Sequence, residues 1–173
     1  MSKLSSVEIL GAGPGGLYTA ILLRRAFPEV SVRVTERNSR DATFGFGVVF
    51  SDHALAELQT TDPDTHDLIF PEMEHWRDME VATPNGTEII DGMGYAAIGR
   101  LRLIELLATR AEELGTTLRF ATEVDDLNTL DADLVIGADG FNSLVRQHME
   151  ARFAPSLDHF ENHFAWFGAS VPF

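Results

Sequence analysis

Cysteine is absent from the 173-residue sequence, which excludes a disulfide framework, a thiolate metal site and a cysteine nucleophile and fits a reducing compartment. Lysine is almost absent. Lys3 is the only one, so no helix can carry the Tyr and Lys pair of a nicotinamide-dependent dehydrogenase. Positive charge as a whole is scarce: 13 Lys and Arg face 27 Asp and Glu, for a formal net charge of -14. Such a surface is soluble and disfavours nucleic acid or anionic membrane as the main partner, since both need a positive field. Long apolar runs are missing too. Nothing approaches membrane-spanning length, and the opening MSKLSSVEIL is too short in apolar residues for a signal peptide, so a cytoplasmic protein is expected. Hydrophobic residues at 45% and charged residues at 23% are ordinary globular values. The chain is long enough for one well-buried domain, or a domain with a small lobe.

The strongest pattern present is Val7 to Leu17, VEILGAGPGGL. An apolar run (Val7, Ile9, Leu10) enters Gly11-x-Gly13-x-Gly15-Gly16, and Leu17, Ala20, Ile21, Leu22 and Leu23 continue as a helix. Strand, tight turn and helix in that order form a dinucleotide-binding unit. Gly11 allows the sharp turn, Gly13 the approach of a pyrophosphate to bare backbone, and Gly16 close packing of helix on strand. The phosphates would sit at the positive end of the helix. About twenty residues later, Val30 to Glu36 alternates as a strand and ends in a carboxylate, to which a ribose diol could donate two hydrogen bonds. Strand, helix, second strand and acid all fall at the required spacing.

Along the rest of the chain, Phe27-Pro28-Glu29 returns the backbone to the second strand. Arg37 to Asp41 is a polar loop whose two arginines either reach a phosphate or lie in water. Phe44 to Ser51 is apolar with glycines at alternate positions, open between close approach of a flavin ring or ribityl chain and a buried loop packed on the sheet. Ser51-Asp52 caps a short helix through Leu58, and Thr60 to Thr65 ends it in turns. Short extended runs follow: His75 to Ala82, a Pro84-Asn85-Gly86 turn and Thr87 to Ile90, the hairpin of a second lobe. Arg100 to Leu114 is a helix with an apolar stripe of Leu103, Leu106, Leu107, Ala111 and Leu114, closed by Gly115. Strands are expected at Thr117 to Phe120, Thr122 to Val124 and Asp133 to Gly137, then a turn through Gly140 and a helix capped by Asn142-Ser143 that carries Arg146. Phe164 to Phe173 reads as another strand. The fold class is α/β, a Rossmann-like domain formed by residues 1–69 and 99–163 with the beginning of a small β-rich lobe at 70–98 and a truncated strand at 164–173.

Three motifs in order, GAGPGGL with Glu36-Arg37, the Arg100 helix, and DLVIGADGFNSLVR from Asp133 to Arg146, resemble the FAD-dependent single-component aromatic hydroxylases, the family of p-hydroxybenzoate hydroxylase. The loop ERN-x-x-D-x-TFGFGVVFSD resembles most the branch acting on aryl-CoA thioesters. The resemblance implies that Gly11, Gly13, Gly15 and Gly16 hold the FAD pyrophosphate, Glu36 and Arg37 the adenosine end, and Arg100 the phosphates. It assigns Asp139 and Gly140 to the motif shared by FAD and the pyridine nucleotide. An Asp before Gly is also a common turn residue that satisfies its own backbone. NADH or NADPH would reduce the flavin, and oxygen and a small aromatic substrate, with a CoA thioester the candidate, would complete the reaction. The family's later Gly-Asp-Ala motif has no counterpart here, so the chain is read as the N-terminal part of such an enzyme. A catalytically silent dinucleotide-binding module stands as the alternative.

No side chain is required as a catalytic acid or base, since the cofactor carries this chemistry. His159 and His163 have metal-ligand spacing but no third ligand, and Asp62, Asp64 and Asp67 lack the glycine and final glutamate of a calcium loop. Ser143 follows no nucleophile elbow. Trp76, Trp166 and the phenylalanines read as core residues.

Overall fold

The computed structural model describes residues 4–42, 44–163 and 165. Four parallel strands form the central sheet: β1 (Ser6–Leu10), β2 (Ser31–Thr35), β8 (Thr117–Arg119) and β9 (Leu134–Gly137), in the order β8-β2-β1-β9. The helices α1 (Pro14–Ala26) and α4 (Arg100–Glu113) pack against each other and the sheet. Leu17, Ala20 and Ile21 of α1 meet the core that Leu103, Leu106, Leu107, Ala108 and Ala111 of α4 complete, over Val7, Ile9, Val32 and Val34 of the sheet. The apolar stripe of α4 is thus the stripe its spacing predicts. Gly115, at φ +86°, follows the helix in the left-handed conformation of a glycine C-terminal cap, and Thr116 donates its N–H back to the Ala111 carbonyl at 2.9 Å.

A second, antiparallel sheet lies between these parts of the chain. The strand β3 (Gly47–Ser51) pairs with β7 (Tyr95–Gly99), which also pairs with β4 (Glu74–Trp76). The strands β5 (Met79–Thr83) and β6 (Gly86–Ile90) make a separate hairpin, exposed along its whole length. The expected run from His75 to Ala82 is therefore two strands in two sheets. Ser51 caps α2 (Asp52–Thr61) by accepting the Ala54 N–H at 3.2 Å.

Three expectations are corrected. The turn-rich segment after α2 contains a further helix, α3 (Pro63–Ile69), because Asp62 accepts the Thr65 N–H and Pro63 supplies the fixed φ of a first helical residue. Residues Thr122 to Val124 are not a strand: the chain turns at Ala121, φ +50°, and the N–H groups of Ala121 and Thr122 bond the carbonyls of Asn38 and Glu36 beyond the end of β2. Gly47 to Ser51 is a strand, and the two aromatics before it are not buried, Phe44 being 75% and Phe46 66% exposed. Two short helices, α5 (Leu144–His148) and α6 (Glu150–Phe153), follow β9. His159 and His163 lie in irregular chain rather than on a shared helical face. The strand expected from Phe164 to Phe173 falls, apart from Ala165, outside the described residues, as does Trp166. No helix of the described residues is long and apolar enough to cross a membrane.

The start of β1 is tied to the start of β9 by one carboxylate. Asp133 Oδ2 accepts the N–H groups of Ser5 and Ser6 at 2.8 and 2.9 Å and their hydroxyls at 2.6 and 3.1 Å. The Ser5 donors, then those of Ser6, stabilise the ionised form and hold this carboxyl at about 2. A carboxyl lowered on folding contributes stability above its unfolded pKa and loses it as pH falls toward its folded value. Wild type should therefore exceed Asp133→Asn in urea midpoint at pH 6, with the difference shrinking between pH 4 and pH 2. A difference unchanged across that window would refute the assignment.

Candidate cofactor-binding site

From β1 the chain runs outward through β2 to β8 and then returns to β9 on the other side of β1, so the strand order reverses between β1 and β9. In open parallel sheets the crevice outside the carboxyl ends of strands at such a point is where ligands bind. A cavity of about 720 Å³ opens there. Its walls come from the segments that leave β1, β2, β8 and β9, and from the start of α4.

Seven of the nine residues singled out from sequence line this cavity: Gly11, Gly13, Glu36, Arg37, Arg100, Asp139 and Gly140. Gly15 and Gly16 lie in the first turn of α1 beside it rather than on its wall. Gly11 has φ +102° and lies so close to the β9 turn that a Cβ would meet the Ala138 carbonyl oxygen at 2.4 Å. Gly16 packs on Gly11 itself, since its Cβ would fall 1.9 Å from the Gly11 oxygen. Gly13 and Gly15 differ: a Cβ on either would point into open space, leaving a cradle at the helix mouth. No side chain caps α1 and its first turn holds no acid, so the amides of Gly15 and Gly16 have neither an intrahelical acceptor nor a side-chain cap and present the positive end of the helix.

Glu36 is more occupied than its sequence position suggests. Its Oε2 accepts the Ala12 N–H at 3.0 Å, and its Oε1 accepts the Asn38 N–H at 2.8 Å and the Asn38 amide at 2.6 Å. A carboxylate offers about four acceptor positions, so these bonds leave room for one ribose hydroxyl, not the two expected. Asn38 is a residue the sequence reading did not single out. Its signal was local, a side-chain amide two residues beyond a strand-end acid. Thr35, Phe44, Phe141 and the segment Thr122–Asp125 also line the cavity. The last was misread as a strand, although loops beyond the carboxyl ends of a parallel sheet are where a site is built.

Asp139 supplies the sharpest feature. Its Oδ2 accepts the Leu144 N–H at 2.6 Å, while its Oδ1 is buried with no hydrogen-bond partner among the described residues. The turn reading accounts for one oxygen only, and a buried unpaired acceptor calls for a donor from outside the chain. Ser143 caps α5 through the Arg146 N–H at 3.1 Å, and Arg146 lies 5.8 Å from the Phe141 ring centre. Arg37 and Arg100 make no ion pair among the described residues. Two cations, an open glycine cradle, a helix N-terminus and an orphaned carboxylate oxygen match the donors and acceptors of a dinucleotide such as FAD. Among the described residues, no group of three or more His, Asp or Glu side chains stands where it could hold a metal ion.

The parallel sheet, the glycine turn and the helices packed on the sheet make this a Rossmann-like α/β domain. No family model matches the chain. It is 43% identical over 168 residues to salicyloyl-CoA 5-hydroxylase of a Streptomyces species, a match covering 96% of this chain and 32% of that enzyme. It is 28% identical over 163 residues to 3-hydroxy-4-methyl-anthranilyl-(aryl-carrier protein) 5-monooxygenase of Streptosporangium sibiricum, covering 94% of this chain and 46% of that one. Among solved structures, tetrameric 2-methyl-3-hydroxypyridine-5-carboxylic acid oxygenase superposes with a TM-score of 0.72 at 26% identity, over 86% of this chain and 43% of that one. The resemblance read from the three motifs thus holds: the chain is related to the aromatic monooxygenases and corresponds to their N-terminal part. It spans about a third of the length of the first relative and less than half of the second.

Proposed function

We propose that this chain is the FAD-binding portion of an FAD-dependent aromatic monooxygenase, with NADH or NADPH as reductant. The observation that carries the reading is the convergence on one cavity of Arg100, the open edge of Gly13 and the Asp139 carboxylate, one oxygen of which has no partner among the described residues. In this assignment Gly13, Gly15 and Gly16 hold the pyrophosphate at the head of α1, Arg100 offsets its charge, and Glu36 accepts one ribose hydroxyl. Arg37 flanks the adenosine end, and Asp139 and Gly140 meet the sugar-like chain. Bound FAD would supply the redox chemistry with oxygen; the chain's own residues bind it, orient it and shield it from water. The relationship to an aryl-CoA hydroxylase and to an enzyme acting on a carrier-protein-bound aryl group favours an aromatic acyl thioester as substrate. Residues 1–69 and 99–163 would form the cofactor domain, 70–98 would begin the substrate lobe, and the protein would work in the cytoplasm.

A catalytically silent binding module is the second reading, favoured by the β5–β6 hairpin, which is exposed throughout. The visible spectrum of the purified chain, followed by titration with FAD and in parallel NADPH, tests the cofactor assignment. The expected result is a saturable flavin signal, weakened roughly 10- to 100-fold in Asp139→Ala by loss of one hydrogen bond to a charged group. A folded chain that takes up neither compound would rule out the cofactor assignment.

A further inference from the structure

Glu8 has no part in the assignments above, yet it is a carboxylate only 1% exposed in the middle of β1. Strand alternation sets it on the face opposite Val7 and Ile9, where parallel pairing places it beside Arg33. The Arg33 guanidinium donates to Glu8 Oε2, and the Thr35 hydroxyl donates to Glu8 Oε1 at 2.5 Å. Thr35 is the last residue of β2 and lines the cavity. Its carbonyl accepts the N–H of Gly11 at 2.8 Å, and the next residue, Glu36, holds the N–H of Ala12. One residue is therefore fixed through its side chain to β1 and through its backbone to the glycine turn.

We propose that Glu8 is a positioning residue for the nucleotide cradle. Acting through the Thr35 hydroxyl, it locks the end of β2 to the glycine turn, so that Gly11, Ala12 and Glu36 are held in place before any ligand arrives. The proposal rests on the dinucleotide reading for its functional meaning, but the lock itself belongs to the ligand-free chain. A buried charge needs an ion partner and further hydrogen bonds to be tolerated, and here both partners lie on the strand that ends at the site.

Amide hydrogen exchange of the free chain, combined with ADP titration, tests it. Thr35→Val removes the hydroxyl while keeping the branched shape, Thr35→Ser keeps the hydroxyl, and Glu8→Gln keeps an acceptor for it. In Thr35→Val the amides of Gly11 and Ala12 should exchange about tenfold faster while Ile9 and Val34 are unchanged, and ADP affinity should fall about tenfold, as loss of a hydrogen bond to a charged group predicts. Thr35→Ser should stay within about twofold of wild type at both amides, and Glu8→Gln, which turns the charge-assisted bond into a neutral one, should fall between Thr35→Ser and Thr35→Val. Unchanged exchange at Gly11 and Ala12, or a uniform rise across β1 and β2, would overturn the lock. A wild-type chain that ignores ADP would instead refute the dinucleotide reading, and the exchange data would still decide whether Glu8 holds the turn.

Discussion

Gly16→Ala should cost the chain both its fold margin and its ligand, whereas Gly13→Ala should cost the ligand alone. At Gly16 the added methyl would fall 1.9 Å from the Gly11 carbonyl oxygen and 3.2 Å from the Ala138 Cβ. The first obstacle is backbone, so no rotamer change relieves it, and α1 must move off β1. Overpacking of this kind costs about 3 kcal/mol, and the displaced helix no longer presents its amides to the cavity. At Gly13 nothing lies within 4 Å of the added methyl, and the backbone, at φ -70° and ψ 173°, is open to any residue. Because Gly13 is the N-cap of α1, alanine there loses about 1 kcal/mol at most. The methyl then occupies the edge where a pyrophosphate must approach, so FAD affinity should fall at least about tenfold with the urea midpoint little changed. Urea denaturation followed by circular dichroism, beside FAD titration of each variant, separates the two. A Gly13→Ala chain that binds FAD as tightly as wild type would show that no phosphate uses this edge.

The contrast between these glycines also marks what was legible in the sequence. The β1, α1 and β2 unit follows from local pattern, because each residue type answers a constraint set by its near neighbours. The same holds for α4, with its stripe and Gly115. The antiparallel sheet was not legible in this way. Its three strands come from residues 47–51, 74–76 and 95–99, and nothing local in Gly47–Ser51 announces a partner almost fifty residues away. The helix α3 was readable in principle from Asp62-Pro63, a capping acid before a proline, but the surrounding turn residues masked it. Of the candidate site, the motif residues were legible and the bonds among them were not. That Glu36 already holds Ala12 and Asn38, and that one oxygen of Asp139 has no partner, depends on where separate loops meet. Glu8 was invisible for a related reason: a charged residue in a strand reads as solvent-facing until a partner strand brings Arg33 and Thr35 to it.

A loss of stability as large should come from Asp62→Ala, far from the cavity. Asp62 is 0% exposed and sits at the corner between α2 and α3, where it pairs with Arg25 of α1 at 3.0 Å and Arg110 of α4 at 3.6 Å. It also caps α3 through the Thr65 N–H at 3.2 Å and accepts the Thr65 hydroxyl at 2.6 Å, while Arg110 donates to that hydroxyl oxygen at 2.9 Å and to Asp64 at 2.9 Å. One carboxylate thus joins three helices, and removing it leaves Arg110, whose side chain is 14% exposed, with Asp64 as its one remaining carboxylate partner among the described residues. Breaking a buried pair from one side costs about 3–5 kcal/mol, and because Arg110 keeps Asp64 and Arg25 is 33% exposed, the loss here should fall at the lower end, about 3 kcal/mol. Asp62→Asn retains the cap and should lose about half as much. A spectroscopic reporter stands beside the network. Burial first, and then the Asp62 carboxylate, hold the Tyr18 hydroxyl above its ordinary pKa, and Tyr18 is one of only two tyrosines in the chain. In Asp62→Asn the raising charge is gone, so alkaline ultraviolet titration should find Tyr18 ionising at lower pH than in wild type. Full stability in Asp62→Asn, with the loss confined to Asp62→Ala, would mean the carboxylate acts through the α3 cap alone. Loss of stability in Asp62→Asn together with the Tyr18 shift would show that its charge binds α1 to α4, the two helices whose N-terminal ends face the cavity.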